Sequence, residues 1–308
     1  MSYSSPLWDD ASRLYQPWEV PVDSWDRLVH EINMLGDYYH AEDFVWRGQS
    51  NARWGIKSSL YRVLADELGR VPSEPDLVQA EAALLKLARI EWRQDGIPAM
   101  HLLARLQHVG VPTRLLAATL NPLIGTWFAV AAGKDWAGNS TDSVDGRLMA
   151  FSVKSTIQLA SRWNSNRPRW HYSPSMRPTE WGTGHGRRVW RPPALHRRIP
   201  AQSSVFLVDG VPADGSSSPK KYPDDASRWT VDETREVASI PVRFARIRPQ
   251  SGPMSKSYVF TYRIAAAAKA EISHQLENRF GYRFSTVYAD IEGMAEFLRS
   301  WPERLLQP

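Results

Sequence analysis

The chain is predicted to fold as an α+β protein with mixed, largely antiparallel central sheet and flanking helices. Three observations carry that prediction. Short apolar runs of strand length mix with longer stretches of helical period. The two kinds follow one another without the regular alternation that a doubly wound parallel sheet requires. The 308 residues are 43% hydrophobic, which is enough to bury a large core.

The elements are read in chain order. Residues 1–40 are mainly helical, and within them 23–36 form a capped amphipathic helix. Ser24 stands at its cap, and Trp25, Leu28, Val29, Ile32 and Leu35 recur at helical spacing. Phe44 to Arg47 is a short buried strand stopped at Gly48. A long helix covers 74–94, with Leu77, Ala80, Leu84, Leu87 and Ala88 on its apolar side. A second runs from Met100 to His108 and is stopped by Gly110 and Pro112. Pro122 opens a helix that runs through Ala132. Strands follow at Arg147–Val153, Ser204–Val208 and Tyr258–Ile264. The alanine-rich start of Ala265–Asn278 favours a helix, and a last helix covers Ile291–Ser300.

Two stretches break this pattern. Residues 154–198 hold nine arginines, one lysine and a single acid, Glu180, interleaved with Trp163, Trp170, Trp181 and Trp190. Arginines neutralise phosphates and aromatic rings stack on unpaired bases, so this basic insertion is the nucleic-acid candidate. Arg187, Arg188, Arg197 and Arg198 are its densest points, with Trp170 and Trp190 as stacking rings. The bland alternative is a solvated insertion. Residues 212–228 form a polar loop.

Composition narrows the function classes. With no cysteine, disulfides and thiolate metal sites are excluded, and the eight histidines have no metal-ligand spacing, so no metal is expected. The net charge of +5 permits an anionic partner. No apolar run reaches the roughly 20 residues that span a bilayer, and Met1 to Asp10 lacks a basic-then-apolar leader pattern. A cytoplasmic protein without membrane contact is therefore expected. The glycine-rich loops of nucleotide-binding folds, the His-Glu-x-x-His helix and the Gly-x-Ser-x-Gly elbow are all absent.

Two segments carry most of the functional information. One is Phe44-Val45-Trp46-Arg47-Gly48-Gln49. The other is Ala104-Arg105-Leu106-Gln107-His108-Val109-Gly110-Val111-Pro112-Thr113-Arg114-Leu115-Leu116, continuing through Asn121-Pro122. Trp54, Ser59 to Arg62, Arg198-Ile199-x-x-Gln202 and a C-terminal set of Lys269, Leu276, Gly281 and Asp290 extend the pattern. Together they resemble the FRG domain family, and the resemblance implies one FRG-type domain over residues 1–308.

The family pattern in turn resembles a divergent ADP-ribosyltransferase core that uses NAD. On that resemblance Arg47-Gly48 corresponds to the NAD-binding arginine at the end of a first strand, with Gln49 beside it. Ala117-Ala118-Thr119 takes the place of a Ser-Thr-Ser strand, and Gln202-Ser203-Ser204 takes that of a Glu-bearing motif. Two departures stand out. The third motif has no glutamate, and Ala117 occupies a position where members of the family carry Asp. An engineered inactivation and a natural loss predict the same alanine.

The residues themselves allow this chemistry and a plainer reading beside it. Arg47 offers a planar fork of donors for phosphate or ribose oxygens, or else binds strand-end carbonyls. Gly48 admits a close approach of ligand to backbone. Gln107 and His108 lie at a helix end, where His108 can bind substrate or move a proton, or can simply be a satisfied structural histidine. Thr113 and Arg114 can hold a phosphate or pin loop carbonyls. Thr119 and Asn121 are donors ahead of Pro122, with Asn121 expected to cap the helix. Gln202 can bind ribose hydroxyls but bears no charge.

Two functions are expected from this. The first is an NAD-dependent ADP-ribosyltransferase-like toxin or phage-defence effector acting on nucleic acid, paired with an antitoxin or defence partner. The second is a non-catalytic module that binds a nucleotide or nucleic acid in a degenerate NAD pocket.

Overall fold

The computed structural model describes residues 2–133, 139–153, 155–157, 165–177, 179–185, 188–194, 196–215, 218–249, 254 and 257–300. Two single-turn helices, α1 (Pro6–Asp9) and α2 (Ser12–Tyr15), lead into β1 (Val20–Val22) and α3 (Trp25–Tyr38). Then come β2 (Asp43–Gln49), α4 (Ser59–Leu68), α5 (Glu74–Ile90), α6 (Ala99–His108), β3 (Leu116–Thr119) and α7 (Pro122–Val130). The second half holds β4 (Gly146–Val153), β5 (Ser155–Ile157), β6 (Arg188–Trp190), α8 (Arg198–Ala201), β7 (Ser204–Val208) and α9 (Val231–Val237). It closes with β8 (Val259–Ile264), α10 (Ala266–Phe280), α11 (Phe284–Val287) and α12 (Ile291–Ser300).

The strands form one eight-stranded mixed sheet in the order β1-β8-β4-β2-β3-β7-β6-β5. The outer pairs β1–β8 and β5–β6 are parallel and the inner pairs are antiparallel. An α+β sheet with flanking helices is thus the observed architecture.

Period-two alternation divides the sheet between two cores. Val45, Met149, Phe151, Val205 and Leu207 pack on one face with Tyr15, Trp229 and Ile240. Trp46, Leu148 and Ala150 pack on the other, beneath α3, α7 and α10. Every residue of β4 is buried, as expected of a strand covered on both sides.

Helix α7 lies unusually close to the sheet, and glycines permit it. A Cβ on Gly48 would stand 2.0 Å from the Gly125 carbonyl oxygen and 2.6 Å from the Ala129 nitrogen. A Cβ on Gly146 would stand 2.1 Å from the Ala129 carbonyl oxygen. Gly48 is therefore a packing glycine, required by the helix rather than by a ligand.

The helix caps were legible. Ser24 accepts from the Arg27 amide, and Asn121 accepts from the Leu123 amide at 2.9 Å. The apolar side assigned to α5 was legible only in part, with Leu77 and Ala88 buried and Ala80 and Leu84 packed partly buried. Its buried residues are Leu77, Glu81, Leu85 and Ala88, while Leu87 is 48% exposed, and the helix ends at Ile90. The helix is turned so that Glu81 can meet a buried cation.

Strands β2 and β3 share one register pair, Trp46↔Thr119, and separate beyond it. The split lies in the middle of the sheet, between Arg47-Gly48 of β2 and Ala117-Ala118 of β3.

Candidate functional site

A cleft of about 290 Å³ opens at this split. Strand β2 contributes Trp46, Arg47 and Gly48, and β3 contributes Ala117, Ala118 and Thr119. The end of α6 adds Gln107 and His108, the α8–β7 segment adds Arg198, Gln202 and Ser204, and Phe128 and Tyr288 form a wall. Six segments of the chain thus meet at one place. No carboxylate lines the cleft among the described residues.

Arg47 reaches across the split and donates from Nη1 to the Ala117 carbonyl oxygen at 2.7 Å. Its Nε is buried without a hydrogen-bond partner. Burial, reinforced by the nearby Arg62 charge, lowers its pKa to about 10, so it stays charged at neutral pH. An unmet charged donor in a cleft is costly, and a ligand oxygen would satisfy it.

His108 is held in one tautomer. Its Nδ1 lies 2.7 Å from the Ala104 carbonyl oxygen, which can only accept, so Nδ1 carries the proton and Nε2 the lone pair. Burial lowers its pKa, and the charges of His196 and Arg198 add to this against the opposing Ala104 bond. His108 is therefore a neutral ring with a basic nitrogen. Gln107 is oriented too, because its Oε1 accepts from the Thr113 hydroxyl. That leaves the Gln107 amide NH₂ as its donor end.

The opposite wall is tied down. Thr119 donates to the Gln202 carbonyl oxygen at 2.7 Å, and the Gln202 side-chain Nε2 donates to the Val287 carbonyl oxygen at 3.1 Å. Ser203, between Gln202 and Ser204, has φ +47°, a left-handed conformation uncommon for a non-glycine residue. Such strain persists where surrounding contacts impose it, and it clusters at functional sites. Ala117 is exposed at the floor of the cleft, opposite Phe206 in register.

Residues 42–137 match the family model of the FRG domain. The chain carries an FRG domain. No curated protein and no solved structure matches it. The matched stretch includes β2, β3 and helices α4 to α7. The FRG domain match thus supplies the Arg47, His108 and Ala117 sides of the cleft, and residues beyond the match supply the Gln202 and Tyr288 sides.

Several residues expected in the cleft lie elsewhere. Gln49 is buried and donates to the Gly55 carbonyl oxygen at 3.0 Å, holding the loop after β2. Thr113 is fully buried in the turn before β3, where its backbone and hydroxyl bond Ser59 and Gln107. Arg114 does not face a phosphate. It is buried against two acids, with Nε on Glu81 at 3.0 Å and Nη1 on Glu74 at 2.7 Å. Asn121 caps α7 and donates to the Tyr282 hydroxyl at 2.8 Å, outside the cleft.

The basic insertion is corrected as well. Trp170 and Trp190 are fully buried with Leu102, Leu103 and Phe206, so neither face is open to a base. Trp170 also donates from Nε1 to Glu81 at 2.7 Å, and Trp181 donates to Glu74 at 3.0 Å. Arg188 is in β6, pairs with Asp209 at 3.5 Å and bonds the Thr179 carbonyl. Arg198 is bidentate to Asp290, with Nε at 2.5 Å and Nη2 at 2.7 Å. Arg197 is exposed. Arg187 lies outside the described residues.

Sequence reasoning missed Tyr288 and the role of Arg198. Arg198 anchors the α11–α12 turn through Asp290, donates to the His108 carbonyl oxygen at 3.0 Å and lies 4.7 Å over the Tyr288 ring. The Phe284 and Tyr288 rings, at i,i+4 spacing, stack at 4.6 Å. That spacing was the only local hint. No helix among the described residues is long and apolar enough to cross a membrane.

Proposed function

We propose that this FRG protein binds NAD in the β2–β3 cleft and belongs functionally with ADP-ribosyltransferase-like toxins or defence effectors that modify nucleic acid. The observation that carries the reading is the unmet Arg47 Nε in a cleft whose only other charged lining group among the described residues, Arg198, is paired with Asp290. Such a cleft suits the diphosphate and ribose oxygens of a dinucleotide. Its volume of about 290 Å³ is near the lower end for small-ligand pockets, so it accepts one nucleoside-sized part of NAD and leaves the remainder at its mouth.

Breaking the nicotinamide–ribose bond develops positive charge on the ribose, and a nearby carboxylate would stabilise that charge. This cleft has none among the described residues. Ala117 faces it beside Arg47, where the family resemblance leads one to expect Asp. The chain as it stands is then a binder with little or no transferase activity. An Ala117→Asp variant supplies the missing group in the cleft that His108 also lines.

The test is transfer of label from radiolabelled NAD to RNA, DNA and protein acceptors, comparing this chain with Ala117→Asp. Label with the variant alone supports the transferase reading and identifies the acceptor class. Measurable NAD binding with no transfer by either protein replaces it with the second reading, a binding module with a degenerate pocket. That second reading is favoured by the absence of any acid from the cleft among the described residues. Absence of NAD binding by both proteins overturns the NAD assignment.

A further inference from the structure

Gln107 and His108, at the end of α6, bring side chains of fixed orientation to the β2–β3 cleft. His108 gives its Nδ1 proton to the Ala104 carbonyl oxygen at 2.7 Å, which leaves a lone pair on Nε2. That Nε2 makes no hydrogen bond among the described residues. Unlike the Nε2 of His101 it is not a buried orphan, so a ligand can reach it. The ring is neutral at pH 7, because burial lowers its pKa. Gln107 is committed through Oε1 to the Thr113 hydroxyl, and its NH₂ is likewise unpartnered among the described residues and open. The helix end thus offers the cleft one free acceptor beside one free donor.

Contacts across the floor place this pair opposite a cation. Ala117 is exposed there and pairs in register with Phe206, so the two share a face of the sheet with Cβ atoms about 5 Å apart. The His108 ring stands edge-on to the Phe206 ring at 5.8 Å. From the other side, Arg47 donates to the Ala117 carbonyl oxygen at 2.7 Å. A ligand seated on Ala117 therefore has the α6 pair on one side and a guanidinium on the other. Taken as a sphere, the cleft is about 8 Å across, roughly the span of a sugar phosphate. A larger cleft of about 930 Å³, bounded by α7, α10, α11 and α12, shares Tyr288, but Arg47, Gln107 and His108 do not line it.

The pattern of donors and acceptors selects the ligand group. A phosphate or carboxylate oxygen can only accept, so it suits Gln107 or Arg47 and not the His108 lone pair. An ammonium can donate to His108 but meets the Arg47 charge. A hydroxyl does both, donating to His108 and accepting from Gln107 through one oxygen. In a ligand that also brings phosphate to Arg47, that group is a sugar hydroxyl. We infer that His108 and Gln107 read a ribose hydroxyl of a nucleotide in this cleft and so distinguish ribose from deoxyribose. The inference deepens the proposed function and rests on it for the class of ligand.

The experiment is isothermal titration calorimetry near neutral pH with ADP, 2′-deoxy-ADP and 3′-deoxy-ADP, and with NAD in parallel, against the full unaltered chain and His108→Phe. The unaltered chain is expected to bind ADP about tenfold more tightly than the nucleotide that lacks the hydroxyl being read, the size of one lost hydrogen bond. His108→Phe keeps a ring against Phe206, and it is expected to bind ADP about tenfold more weakly and to lose the discrimination. Equal affinities of the unaltered chain for all three nucleotides overturn the inference, and that comparison needs no variant to fold. Discrimination retained in His108→Phe overturns it too, as does absence of ADP binding by the unaltered chain. NAD binding without hydroxyl discrimination removes this inference and leaves the proposed function standing. Hydroxyl discrimination without NAD binding does the reverse.

Discussion

Arg47 shows what a local motif conveys. The Trp-Arg-Gly-Gln segment pointed to Arg47, which lines the cleft, because its neighbours in sequence are also its neighbours in the strand. Arg114 was misread because its partners, Glu74 and Glu81, lie on a different element and carry no local mark of burial. His108 lends itself to a pH test. Burial depresses its pKa, so the folded state binds its proton less readily than the unfolded chain does. The stability it contributes is present above its unfolded value, about 6.5, and is lost as pH falls through the lower folded value. Between about pH 7 and pH 5, urea denaturation of the unaltered chain should therefore lose more stability than that of His108→Gln. Equal losses would show that His108 is not held neutral.

Helices and strands meet here through a few unforgiving contacts. Arg114, Glu81 and Glu74 tie α5 to the start of β3, and Trp170, Trp181 and His171 add bonds to the same carboxylates. Burial alone would raise the Glu81 pKa, but Arg114, with His171 and Trp170, outweighs it and keeps the carboxylate ionised. Removing one member strands a buried charge. Arg114→Met should cost about 3–5 kcal/mol, read by denaturant unfolding, whereas an exposed pair such as Arg283–Glu277 should contribute about 1 kcal/mol or less. A cost below about 1 kcal/mol for Arg114→Met would mean that the network is solvated. Position 48 follows the same logic of close packing, since α7 leaves no space there for a side chain.

Across the whole molecule, one sheet carries the cleft at its centre and cores on both faces. Ligand binding there should stabilise the fold as a unit. On the proposed function, NAD at about 100 times its Kd adds about 2.7 kcal/mol. It should raise the melting temperature of the unaltered chain and leave that of Arg47→Ala unmoved, as differential scanning fluorimetry would show. A similar rise in both proteins would place NAD away from Arg47. The FRG match spans residues 42–137, yet the cleft is completed by Arg198, Gln202 and Tyr288. Truncation to the matched stretch would therefore leave the site open on one side.

The sequence by itself determined the α+β class, most helices and strands, the caps at Ser24 and Asn121, and the FRG segments that supply half of the cleft. These properties depend on neighbours a few positions apart, so period and capping chemistry reveal them. Only the tertiary structure decided which polar residues are free to act. Gln49, Arg114 and Arg198 have the chemistry of ligand binders, but backbone carbonyls and distant acids occupy them. Trp170 and Trp190 became core, and Tyr288 came to line two clefts. Burial and long-range pairing arise from contacts between segments up to some two hundred residues apart, and no local pattern in the chain records them.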